Sequence, residues 1–189
     1  MAVTIQDITQ TLDSFSWGYH VESVTFRAQA KEHVHTTCAT QDYVDSHGKR
    51  RLHLVFLTKE NGKLLVIAAP HVRTVTDLSD AQRLSLLDVL NDAVGKYKLV
   101  QPYWDPVDGE LGVRIEVPFE DGEFHPSILK RGIVNLVDFF ELYTEQIDTA
   151  LSQNQIEIDL PEDEDMVLMT KSEMFERFER YRREQDAGV

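Results

Sequence analysis

The run Leu64-Leu65-Val66-Ile67-Ala68-Ala69-Pro70, with Ser79-Asp80-Ala81-Gln82-Arg83-Leu84-Ser85-Leu86-Leu87 after it, decides the fold. The first piece is continuously apolar and strand-sized. Pro70 has no N–H for a ladder and is expected to close the strand. The second piece opens with a Ser79/Gln82 capping box. Leu84, Leu87, Leu90 and Val94 then recur at helical spacing, which predicts a helix with that face on the core.

Reading onward, strands are expected over 98–104 and 111–117, around the turn Pro106-Val107-Asp108-Gly109. The later strand alternates. Leu111, Val113, Ile115 and Val117 point inward and Arg114 and Glu116 outward, as in an antiparallel sheet with one wet face. Asp121-Gly122 turns the chain, Pro126 suits a first helical position, and Ile133, Leu136, Phe140, Tyr143 and Ile147 stripe a last core helix.

Reading back, Asn61-Gly62 is a strong hairpin signal. It joins the 64–69 strand to one over 51–58, whose Leu52, Leu54 and Phe56 face one way and Val55 and Leu57 the other, as expected of a central strand. Thr-rich and Val-rich strands are expected over 24–30 and 34–41. A first helix capped by Thr4 carries Ile5, Ile8, Leu12 and Phe15.

The order and spacing of these features resemble the YbjN family of bacterial domains, which share a fold with type III secretion chaperones. The residues that carry the resemblance are the strand closing on Pro70, the helix ending Leu86-Leu87-Asp88-Val89-Leu90-Asn91-Asp92, Lys96-Tyr97-Lys98-Leu99 after Gly95, Asp108-Gly109-Glu110, and Val117-Pro118-Phe119. The resemblance covers a little under half the chain. It implies an α+β fold over 1–150 in the order α-β-β-β-α-β-β-α around an antiparallel sheet. It also implies a non-enzymatic protein of regulatory or chaperone-like type that forms a homodimer and binds a protein client.

The 189 residues carry a net charge of −14. That balance disfavours a nucleic-acid backbone as partner, which needs a basic patch to release counterions, and disfavours anionic membrane surfaces. No apolar run approaches the roughly 18 residues of a membrane span. The first residues show no secretory leader pattern, and a single cysteine, Cys38, fits a reducing compartment. A cytoplasmic protein is the expectation.

The segment 151–189 differs from the rest. From Asp148 onward there are 12 acidic and 5 basic residues, net −7. Pro161-Glu162-Asp163-Glu164-Asp165 reads as a solvated acidic linker. A Thr170/Glu173 capping box then opens a terminal helix with Met174, Phe175, Phe178 and Tyr181 on one side. That stripe is the candidate partner-binding surface, packing on its own domain, on a second subunit or on another protein.

Chemistry-bearing groups are sparse. In His33-Val34-His35-Thr36-Thr37-Cys38 the two histidines share a strand face, and Cys38 falls on the other. His53 or His71 could add ligands, so a metal-responsive or small-ligand sensor is the alternative function, with His33, His35 and Trp104 lining its pocket. Cys38 has no surrounding that would activate a thiol. Asp105, Asp108 and Glu110 lack the ligand order of a calcium loop and read as a turn. There is no glycine-rich phosphate loop or nucleophile elbow. No cofactor is expected.

Overall fold

The computed structural model describes residues 2–26, 29–119 and 122–152. Helix α1 (Ile5–Ser14) leads into strands β1 (Tyr19–Phe26), β2 (Gln29–Ala39), β3 (Arg51–Lys59) and β4 (Leu64–Thr74). Helix α2 (Asp80–Lys96), strands β5 (Gln101–Trp104) and β6 (Glu110–Pro118) and helix α3 (Pro126–Ser152) follow. All six strands join one antiparallel sheet in the order β1-β2-β3-β4-β6-β5. The α+β antiparallel architecture is the expected one. Four strands rather than three separate the first two helices.

Local chemistry starts the elements where expected. Thr4 and Asp7 form a capping box at α1, and Ser79 and Gln82 form one at α2. Pro126 is the first residue of α3, where a missing N–H leaves no bond unmade. The β3–β4 hairpin turns through Glu60–Gly62, with positive φ at Glu60, Asn61 and Gly62.

The helices cover one side of the sheet. Val34 and Cys38 of β2, Leu52, Leu54 and Phe56 of β3, Leu65 and Ile67 of β4, and Leu111, Val113 and Ile115 of β6 form one cluster with the helices. From α1 come Ile8 and Leu12, and from α3 Leu129, Ile133, Leu136, Phe139, Phe140, Tyr143 and Ile147. Gly132 lets α3 approach closely, since a Cβ there would run into the tip of Ile67. Residues of the opposite parity make an open face, including His33, His35, His53, Arg114 and Glu116.

Two polar clamps tie α3 to the connections. The Glu141 carboxylate accepts the amides of Gln41, Asp42 and Tyr43 just after β2. Arg73 of β4 donates to Asp148 through Nε at 2.9 Å and Nη2 at 3.0 Å, while its guanidinium lies over the Tyr43 ring. Such charge-assisted, two-pronged bonds fix orientation as well as adding energy.

Three expectations are corrected. First, Pro70 does not end its strand, because β4 runs on to Thr74. Its pairing with β6 shifts register between Ala69 and Arg73, and a bulge needs no ladder bond from a proline. Second, the strand expected over 24–30 spans the join of β1 and β2, which pair up to Phe26 opposite Gln29. No Gly, Pro, Asn or Asp marks that join. Third, α2 turns a different face inward. Leu86, Leu90 and Ala93 are buried, while Leu84, Leu87 and Val94 are exposed. With apolar residues around most of its circumference, α2 has no single stripe for spacing to find.

Gly109 closes the β5–β6 turn at φ +75°, where an added Cβ would lie 2.6 Å from the Val75 carbonyl oxygen. Val75 also donates its N–H to Gly109 at 2.8 Å. Gly48 has a similar φ of +73° but open space around it. Gly109→Ala is therefore expected to cost more than about 1 kcal/mol in urea unfolding, and clearly more than Gly48→Ala. Equal losses would mean that the approach of Val75 is unimportant.

Candidate functional site

The open face carries a histidine cluster built by strand register. His20 of β1 stands opposite His35 of β2, and Glu22 stands opposite His33. On the next strand His53 pairs with Thr37 and so lies diagonal to His35. The rings of His20 and His35 stack at 4.7 Å between centroids, and those of His35 and His53 at 5.3 Å. His33 lies 6.3 Å from His35.

His35 is the hub. Its Nδ1 is 3.1 Å from Nε2 of His53, so one ring nitrogen donates to the other. Its Nε2 is shielded from solvent and faces Glu22 Oε2 at 3.3 Å, without the alignment of a hydrogen bond. Burial holds the His35 imidazole below its ordinary value, and His20 pushes the same way while Glu22 opposes. Burial likewise lowers His53, helped by His35, His20, Arg51 and His71. The His35 and His53 rings are therefore neutral at neutral pH.

Two shallow depressions flank His53. One, of about 310 Å³, is lined by His20, His35, Thr37 and His53 with the chain at Gly18–Tyr19. The other, of about 280 Å³, lies between His53, His47, His71, Tyr43 and Asp45. His71 has φ +49° within the β4 bulge, which turns it toward this side.

The structure unites His33, His35 and His53 as the spacing suggested, and adds His20 and Glu22. Those two were missed because β1 was expected to start at residue 24. The signal for them was the alternation His20-Val21-Glu22, which mirrors His33-Val34-His35. Trp104 does not line this pocket. It sits on β5, at the far edge of the sheet from β1 and β2. Cys38 is buried on the helix side, and burial pushes its thiol up to about 11, so it is a protonated core residue at neutral pH.

The acidic turn is occupied by its own backbone. Asp105 accepts from Val107 N–H and Asp108 from Glu110 N–H, while Glu110 accepts from the Tyr103 hydroxyl at 2.7 Å. Met174, Phe175, Phe178 and Tyr181 lie outside the described residues, as does the acidic linker.

Known structures give the fold a counterpart. YbjN from E. coli, suggested to be a transcription regulator, matches over 77% of this chain and 94% of its own, at 10% identity and a TM-score of 0.50. The fold is similar to that of YbjN. An uncharacterized protein from Methanothermobacter thermautotrophicus matches over 77% of this chain and 97% of its own, at 14% identity and a TM-score of 0.41. No family model matches the chain, and no curated protein does. Among the described residues, no helix is long and apolar enough to cross a membrane.

The lowered histidines set a pH dependence. Both bind a proton less readily when folded than when unfolded, so acid favours unfolding. Their contribution is present above the ordinary value of 6.5 and is lost as pH falls through the folded values. The groups facing them are His20, Glu22, His33, Arg51 and His71. The melting temperature is expected to fall between about pH 7 and about pH 5, before most carboxylates titrate. The double variant His35→Gln/His53→Gln should flatten that fall. An unchanged slope would show that these rings are not responsible.

Proposed function

We propose that this chain is a non-enzymatic, protein-binding module, a chaperone-like or regulatory adaptor that works as a homodimer. The observation that carries the reading is the outward face of α2, where Leu84, Leu87 and Val94 are 53%, 46% and 50% exposed. Apolar side chains aligned on an exposed helix face favour a partner. The fold likeness to YbjN agrees with a regulatory role. The net charge of −14 directs that role toward protein contacts rather than phosphate contacts.

The occupant of the α2 face is a second copy of this chain. Two α2 helices crossing antiparallel bring the Leu84–Leu87 end of each toward Val94 of the other. Overall acidity opposes the association, so salt should strengthen it by screening.

A second reading is favoured by the histidine hub, namely a metal-responsive or small-ligand sensor. The two are compatible, since the hub lies on the open sheet face and the stripe on α2.

Light scattering on the full chain should give a dimer mass at high protein concentration, with dissociation on dilution shifted by salt. Leu87→Asp should give a monomer with an unchanged melting temperature at low concentration, because Leu87 contributes little to the core. A monomer at all concentrations would overturn the dimer, and an unaltered dimer in Leu87→Asp would move the interface away from α2.

A further inference from the structure

His20, Glu22 and His35 each offer a ligand atom, and the three atoms lie within 4.8 Å of one another. We infer that the open face holds a site for a borderline divalent transition-metal ion, with His20, Glu22 and His35 as its ligands and His53 as the group that orients His35. This deepens the metal-responsive reading and does not depend on the dimer.

The backbone does most of the placing. His20 and His35 are cross-strand partners, and Glu22 follows His20 by two residues on the same face. No loop has to close to assemble the three. A tetrahedral ion with bonds of about 2.0–2.1 Å holds its ligands about 3.3 Å apart. The His35 Nε2 to Glu22 Oε2 separation is 3.3 Å, already that edge. His20 has to move by an ångström or so, and its exposed side chain is free to turn.

The His35 nitrogen is in an unusual position for a simple ion pair. It is buried, lacks a hydrogen bond, and points at a carboxylate oxygen 3.3 Å away. An imidazole nitrogen and a carboxylate that face each other without a hydrogen bond leave both poorly satisfied. A cation between them satisfies both. The other ring nitrogen already has its partner, since His35 Nδ1 is 3.1 Å from His53 Nε2. With Nδ1–H donating to His53, Nε2 is left as the lone-pair nitrogen aimed at the site. Metal-bound histidines are held by such second contacts.

The donor set selects the class of ion. Two imidazole nitrogens and one carboxylate suit Zn²⁺, Co²⁺, Ni²⁺ or Cu²⁺. They do not suit Mg²⁺ or Ca²⁺, which favour oxygen, or Cu⁺, which favours sulfur. Cys38, the one thiol, faces the helices. Three protein ligands leave at least one position for water, and His20 and Glu22 stand in solvent. The bound ion is therefore exchangeable, as a sensor needs.

The test uses the full chain without a histidine tag. Zn²⁺ binding is followed by calorimetry, Co²⁺ by the visible absorption of a tetrahedral ion, and Mg²⁺ serves as the competitor. One ion per chain is expected, undisturbed by Mg²⁺. His35→Ala and Glu22→Gln should each weaken it at least tenfold, and His53→Ala by about 10–100-fold. His125→Ala, at the start of α3, should leave it unchanged. Melting of each metal-free variant at about pH 7.5 checks that it folds. No Zn²⁺ binding in the folded protein, or equal losses in His35→Ala and His125→Ala, would overturn the site. Light scattering with and without Zn²⁺ separates site from sensor. A filled site with unchanged mass and partner binding upholds the site and overturns the sensing role.

Discussion

A sheet whose three described helices pack on one side must sort its side chains by parity, and the rest of this molecule follows from that constraint. α3 lays Leu129, Ile133, Leu136, Phe140, Tyr143 and Ile147 over one side, so every strand beneath it must send its apolar set that way. Once Leu52, Leu54 and Phe56 are committed inward, His53 is outward. Once Val34, Thr36 and Cys38 are committed inward, His33 and His35 are outward. A one-residue slip in β2 would bury two histidines and expose Cys38, so the core itself enforces the register that places the hub. The hub is in this sense a product of packing on the other side of the sheet.

What could be read in the sequence follows the strength of that sorting. β6 alternates and β3 sends Leu52, Leu54 and Phe56 inward, both as expected, with Val55 of β3 and Val66 of β4 (7% and 3% exposed) as apolar members of the opposite face. The caps of α1 and α2 and the Pro126 start of α3 are local chemistry and were equally legible. β1 was not, because its inward residues include no strong apolar run and no turn residue marks its end. That failure hid His20 and Glu22, and with them half of the candidate site. α2 failed differently. Its apolar residues surround the helix, so spacing alone selected Leu84, Leu87, Leu90 and Val94 for the core, of which Leu90 is buried. Packing selected Leu86, Leu90 and Ala93. The residues left over, Leu84, Leu87 and Val94, stand exposed.

The covered side is also where polar groups stabilise geometry rather than perform chemistry. Glu141 gathers three backbone amides, which lower its carboxyl value against the opposing effect of burial. Tyr143 donates to Asp92, joining α3 to α2 at 2.9 Å. On the open face Tyr103 over Gly112 does the same for the β5–β6 pair, its hydroxyl held by Glu110 and raised in value mainly by burial. Each perturbed group has a structural partner that accounts for it. Perturbation with such a partner is weak support for catalysis.

The hub is different because its perturbation runs against the charge of the whole molecule. A protein at −14 surrounds its histidines with a negative potential, which by itself favours protonation. Burial, helped by repulsion from the neighbouring histidines, outweighs it at His35 and His53 and keeps those two rings neutral. Three protons packed into that space repel one another. A single divalent ion does not, because it brings two charges to one point, bonded to nitrogen lone pairs and to the Glu22 carboxylate. The surrounding acidity then favours the ion for the same reason that it would have favoured protons. The feature that resists protonation is thus the feature best suited to a metal.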